Sequence, residues 1–149
     1  MTVESTPPPR RIKPLAFVAA LVLAPLVLGA PAVALLWLID ILNVNPPALL
    51  FILAVPVFAV FAGAVPYLLF GTPAFIMALR KDSSVPGSAF LANLAAVPVV
   101  FAIFLVNQGP EDAAASAGLM LFFGSIFAPI WGGFFGWLYG LFSGRTENA

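Results

Sequence analysis

Charged residues stand in a few short clusters along this chain, and long apolar runs separate them. Nothing charged lies between Leu15 and Ile39, or between Ile41 and Leu79. The same holds from Ser83 to Pro110 and from Ala113 to Gly144. About 20 apolar residues suffice for an α-helix to cross the ~30 Å hydrocarbon core of a bilayer. Only 8% of the 149 residues are charged, where a soluble domain carries about 25%. The pattern predicts an all-α integral membrane protein, a bundle of four Pro-kinked transmembrane helices.

Met1–Pro14 is polar and proline-rich, with Pro7-Pro8-Pro9 ahead of Arg10, Arg11 and Lys13. Such a segment buries too little apolar surface to fold alone and reads as a disordered cytoplasmic tail. The first span is expected at 15–39, bent at Pro25 and Pro31. The apolar run is too long for the core of a cleaved signal peptide. The second span is expected at 48–70, with Pro56 and Pro66 inside it. A single straight helix from Ala48 to Arg80 would be roughly 50 Å long, well beyond the bilayer core. Gly71-Thr72-Pro73 offers a break: Gly ends one helix, Thr caps the next and Pro opens it. A short interfacial helix is therefore expected at 73–81, followed by a loop over 82–87. The third span is expected at 88–106 with Pro98 inside, and the fourth at 113–142 with Pro129 inside. Pro110, Glu111 and Asp112 suit a helix start. Residues 145–149 form a short cytoplasmic tail, and 15–144 make one transmembrane domain.

Four spans put all six basic residues, Arg10, Arg11, Lys13, Arg80, Lys81 and Arg145, on one side. Asp40, Glu111 and Asp112 lie on the other, with no basic residue. The positive-inside rule then places both termini in the cytoplasm, and the bacterial inner membrane is the expected location. Arg80, Lys81 and Arg145 are candidates for contact with lipid head groups.

The fourth span carries Gly124, Ala128, Gly132, Gly136, Gly140 and Gly144 at steps of four. Small residues at this spacing let helix backbones approach closely in lipid. The expected partners are two. One helix covers Gly124, Ala128 and Gly132; another covers Gly136 and Gly140. The first hairpin, with Ala16, Ala20, Ala24 and the pair Ala59 and Gly63, is the natural supplier of at least one. The large rings of the fourth span are then left facing lipid or a partner protein.

Reactive groups are few. The chain has no Cys and no His, which removes thiolate and imidazole ligands and nucleophiles. No ionisable residue lies within a span, and such residues usually mark proton and ion paths. Glu111 and Asp112 are neighbours on a helix and point about 100° apart, so they do not make a carboxylate pair. Asn93 and Ser125 are the candidate polar intramembrane site. Ser125 has no base beside it at membrane depth, and Asn93 reads first as a hydrogen-bonding contact between helices.

The expected role is a non-catalytic membrane component without cofactor or metal. It would be an accessory, assembly or scaffold subunit packed against membrane lipids and against its own copies or other membrane proteins, with no nucleic-acid partner. The alternative is a small transporter, or the membrane subunit of one, for a neutral or lipid-like solute.

Overall fold

The computed structural model describes residues 11–43, 57, 60 and 63–144. The proline-rich tail, the loop at 44–47, most of the first half of the second span with Ala59, and the tail with Arg145 lie outside the described residues. Four helices are long and apolar enough to cross a membrane: α1 (Pro14–Ile41), α2 (Gly63–Lys81), α3 (Val85–Asn107) and α4 (Pro110–Ser143). The described residues contain no strand.

The starts of α1, α3 and α4 are each written in the sequence by a proline. Pro14 opens α1, Pro86 falls in the first turn of α3 and Pro110 opens α4. A missing N–H costs nothing where the helix has no acceptor for it. The third span starts earlier than expected, at Val85, inside what reads as a loop. Ser84 is the reason: its Oγ accepts a hydrogen bond from the Gly87 N–H at 3.2 Å, satisfying one orphan donor. At the other ends, Asp82 (φ 54°) and Gly144 (φ 70°) adopt left-handed conformations that stop α2 and α4. Both α1, through Pro25 and Pro31, and α3, through Pro98, remain helical without interruption.

The expected break at Gly71 does not occur. Gly71 and Thr72 both keep right-handed helical angles, and the Thr72 side chain makes no cap. The helix instead widens to a π turn over Tyr67–Gly71 and then resumes as an α-helix over Thr72–Lys81. Pro73 explains this. In a regular α-helix its ring would press on the Leu69 carbonyl, four residues back, and leave that carbonyl without a donor. Widening the preceding turn relieves the crowding. A bilayer, which helices of this length and apolarity could cross, would offer no water for a broken end, and the chain here stays helical.

The longest helix, α4, is the centre of the assembly. Helix α3 runs back along it as the other arm of a hairpin, and α1 packs on a second side. The π turn of α2 packs against α3 and reaches α4 through its rings. The core is a chain of aromatic contacts. Phe135 is stacked on Phe75 with centroids 4.4 Å apart, and Phe17 meets it edge-on at 5.2 Å. Tyr67 stands edge-on to both Phe75 and Trp131, at 5.6 Å each. Pairs of this kind add about 0.5–1.5 kcal/mol beyond the area they bury. Ala16, Ala20 and Ala24 line one face of α1 and let it close on Phe135, Leu138 and Tyr139.

The rings of α4 therefore divide, contrary to the expectation that they all face outward. Trp131, Phe135 and Tyr139 are buried, while Phe122 and Trp137 are well exposed, at 63% and 59%. The spacing of 131, 135 and 139 places all three on one stripe of the helix.

Where α4 and α3 touch, space decides the outcome of substitution. A Cβ at position 132 would lie 2.7 Å from the Ala89 Cβ and 3.0 Å from the Val85 carbonyl oxygen. A Cβ at position 140 meets no described atom within 4 Å. Gly132→Ala should destabilise the protein by about 1–3 kcal/mol. Gly140→Ala should be neutral or stabilising by up to ~1 kcal/mol, since Ala is the better helix former. Thermal unfolding of the two purified variants in mild detergent checks the difference.

Candidate functional site

Glycines at steps of four rotate by about 40° around a helix at each step, so one straight partner follows the stripe only part of the way. Helix α3 is that partner. Asn93 lies over Gly124, where a Cβ would overlap its side chain. Ala89, Pro86 and Val85 close over Gly132. By Gly136 the fit has loosened to an ordinary 3.6 Å from the Val85 Cβ. Gly140 is past the contact, and Ala128 is half-buried against the core.

The sequence led us to expect the first hairpin over this groove; among the described residues, helix α3 covers it instead. The alanines of α1 meet the rings of α4, and Gly63 makes room for the Trp131 indole, whose Cζ3 would stand 3.3 Å from a Cβ there. The physical reason is complementarity of size. The bare backbone of α4 accepts the bulkier Asn93, Pro86 and Val85 of α3, and its rings accept the small residues of α1 and α2.

Asn93 is 9% exposed, and its Nδ2 has no hydrogen-bond partner among the described residues. Ser125 is not beside it in chemistry: its hydroxyl donates to the Leu121 carbonyl one turn back on the same helix. That is the usual resting place of a helical serine, and it occupies the only proton the group has. The two residues offered by the sequence as one polar site thus do different things. Arg80 and Lys81 stand exposed in the last turn of α2, where positive charge suits the helix dipole. Arg145 lies outside the described residues.

Two features were not legible beforehand. Tyr67 Oη and Trp131 Nε1 are buried and also lack hydrogen-bond partners among the described residues. Either ring alone reads as an apolar filler, and only the contact between them shows two polar tips inside one core. The second is Lys13. Its backbone N–H donates to the Tyr139 hydroxyl at 3.2 Å, and its ammonium donates to the Ser143 carbonyl at 2.7 Å. It ties the first turn of α1 to the last turn of α4, supplying a cation at a helix C-terminus. A lysine in front of Pro14 reads only as a charge that sets topology, and no local pattern reveals a partner 130 residues away.

The Asn93–Gly124 contact makes a direct prediction. Gly124→Ala forces the Asn93 side chain away and should cost about 1–3 kcal/mol. Adding Asn93→Ala should recover part of that loss, with a coupling of about 0.5–3 kcal/mol. A double-mutant cycle on unfolding in detergent measures it; strict additivity would mean that the two residues do not touch. Comparison with protein-family models, with curated proteins and with solved structures finds no match to this chain.

Proposed function

We propose that the protein is a non-catalytic integral component of the bacterial inner membrane. In this reading it is an accessory, assembly or scaffold subunit that presents one side of its long last helix to other membrane helices. The observation that carries the proposal is the outer side of α4. There, Gly118 and Gly140 have no described atom within 4 Å of a Cβ position. Phe122 and Trp137 stand exposed on the same helix. Open backbone beside exposed rings suits close helix contact in lipid. The polar candidates support the same role, since Asn93 and Ser125 are both taken up in packing or in the helix backbone. In this role the small residues Gly124, Ala128 and Gly132 act as a glycine zipper within the chain, and the neighbourhood of Gly140 is left for a partner.

The orientation rests on charge. Arg11 and Lys13 stand where α1 begins and Arg80 and Lys81 where α2 ends, with Asp82 beside the latter pair. Asp40, Glu111 and Asp112 lie where α1 ends and α4 begins. A basic cytoplasmic side is what the positive-inside rule requires, and Arg80 and Lys81 are free to meet anionic head groups there.

One observation favours the second reading, movement of a lipid-like solute. An open apolar groove beside Trp37 is lined by Leu26, Gly29, Val33, Val57 and Val60, and its chemistry fits an acyl chain.

Purification in gentle detergent with mass spectrometry of what accompanies the protein separates the two. A stoichiometric membrane protein or a self-oligomer supports the subunit role. A bound lipid on an otherwise solitary monomer supports the second reading. Reporter fusions after residue 13, at Asp82 and after Arg145 should all read cytoplasmic, and a tag beside Glu111 should read external. Any reversal overturns the orientation.

A further inference from the structure

The contacts fix which way the helices run. Lys13 bonds to Tyr139 and Ser143 while Phe17 meets Phe135, so α1 runs against α4. Tyr67 meets Trp131 while Phe75 meets Phe135, so α2 runs with α4. Lys13 is four residues before Phe17, roughly 6 Å along the axis, and Arg80 is five residues beyond Phe75, roughly 7.5 Å. Both lie past Phe135, at the end where α4 stops. Their neighbours Ile12 and Leu79 pack on the same buried cluster. Among the described residues, this end carries Arg11, Lys13, Arg80 and Lys81 against one acid, Asp82. The other end carries Asp40, Glu111 and Asp112 and no basic residue. Lys13 and Asp40 flank one uninterrupted helix and stand roughly 40 Å apart along it. A bilayer is about 40–45 Å thick with its head groups and about 30 Å without them. In a bilayer, therefore, both charged ends reach head-group depth.

We infer that Arg11, Arg80 and Lys81 form a surface selective for net-anionic phospholipid, and that Lys13, the fourth cation at this end, serves the fold instead. The four are not equivalent. The Lys13 ammonium is already held by the Ser143 carbonyl at 2.7 Å. Arg11, Arg80 and Lys81 stand exposed, and no described residue takes them up in a hydrogen bond or ion pair. Charge complementarity chooses the partner. Phosphatidylglycerol carries a net negative charge and phosphatidylcholine does not, and basic residues beside a membrane span favour the former. A membrane surface is an extended sheet of charge, so the three cations need not converge on one molecule. The acidic end repels the same lipid, which makes the preference one-sided. The inference rests on the membrane placement proposed above, and neither on the subunit role nor on which side is the cytoplasm.

The chain carries its own reporter. Trp137 is exposed and stands two residues beyond Phe135, towards the basic end. Trp37→Phe removes the exposed indole at the other end, and Trp131 is buried. The full chain with Trp37→Phe is reconstituted in vesicles of equal phosphatidylglycerol and phosphatidylcholine, with bromine on the acyl chains of one lipid or of the other. Bromine quenches the indole it touches. Quenching should favour brominated phosphatidylglycerol, by about fivefold for each cation engaged, and the preference should shrink as salt is raised. Arg11→Gln, Arg80→Gln and Lys81→Gln together should abolish it. Lys13→Met should leave it and lower the melting temperature instead. Equal quenching by the two lipids overturns the proposal and leaves the membrane placement standing; no quenching by either overturns both. A preference that survives the triple substitution and is lost with Lys13→Met also overturns it. Both leaflets hold the same mixture, so a reversed orientation leaves the result unchanged. The chain with its basic residues intact decides even if a variant fails to fold.

Discussion

The hairpin of α3 and α4 depends on how closely α3 fits at two glycines, its Asn93 side chain over Gly124 and its backbone over Gly132. In a bilayer, which four of the helices are long and apolar enough to cross, burial would supply little drive for helices to associate, because lipid tails are as apolar as leucine. What remains is dispersion between atoms in contact, which falls away within an ångström of separation. At Gly132 the α3 backbone itself is the neighbour, with the Val85 carbonyl and the Pro86 Cα about 3 Å from where a Cβ would stand. Backbone yields less readily than the tip of a flexible side chain. That is why a single methyl group at 132 is felt, while the same group at 140 is not.

The rest of the bundle is stacked on this pair. Once α3 occupies the glycine stripe of α4, Trp131, Phe135 and Tyr139 are left on the adjoining faces. They become the floor on which α1 and α2 rest. Alanines at 16, 20 and 24 and glycine at 63 provide the shallow surfaces that rings of this size need. Lys13 then joins the outermost turns, holding the start of α1 to the end of α4. Packing thus alternates large against small on two sides of one helix. Tyr67 Oη, Asn93 Nδ2 and Trp131 Nε1 are buried without a hydrogen-bond partner among the described residues, the least settled groups in an otherwise apolar core.

Much of this was legible in the chain. The uncharged runs marked the helices, and Pro14 and Pro110 marked where two of them begin. The start of α3 differs from the loop expected over 82–87 because Ser84, Pro86 and Gly87 are loop-forming types that here make a helix cap and its first turn. Gly71-Thr72-Pro73 was read as a break because each residue has that habit in water. An apolar surrounding favours keeping every backbone bond, and a π turn does so. The four-residue glycine period does not say which helix lies against Gly124 and Gly132. The choice between α1 and α3 depends on whether Ala24 or Asn93 fits against bare backbone, and periodicity carries no such information. The burial of Tyr67 and Trp131 together is a matter of relative helix height, and no single segment contains it.

The register of α3 on α4 is open to one direct measurement. The chain has no cysteine, and a Cβ at 136 would stand 3.6 Å from the Val85 Cβ, within the ~3.5–4.5 Å that a disulfide spans. Val85→Cys with Gly136→Cys, oxidised gently in native membranes, should form a bridge within one chain, seen as a mobility shift reversed by reductant. Val85→Cys with Gly140→Cys should not. Bridging at 140 in place of 136, or crosslinks only between chains, would contradict the packing described.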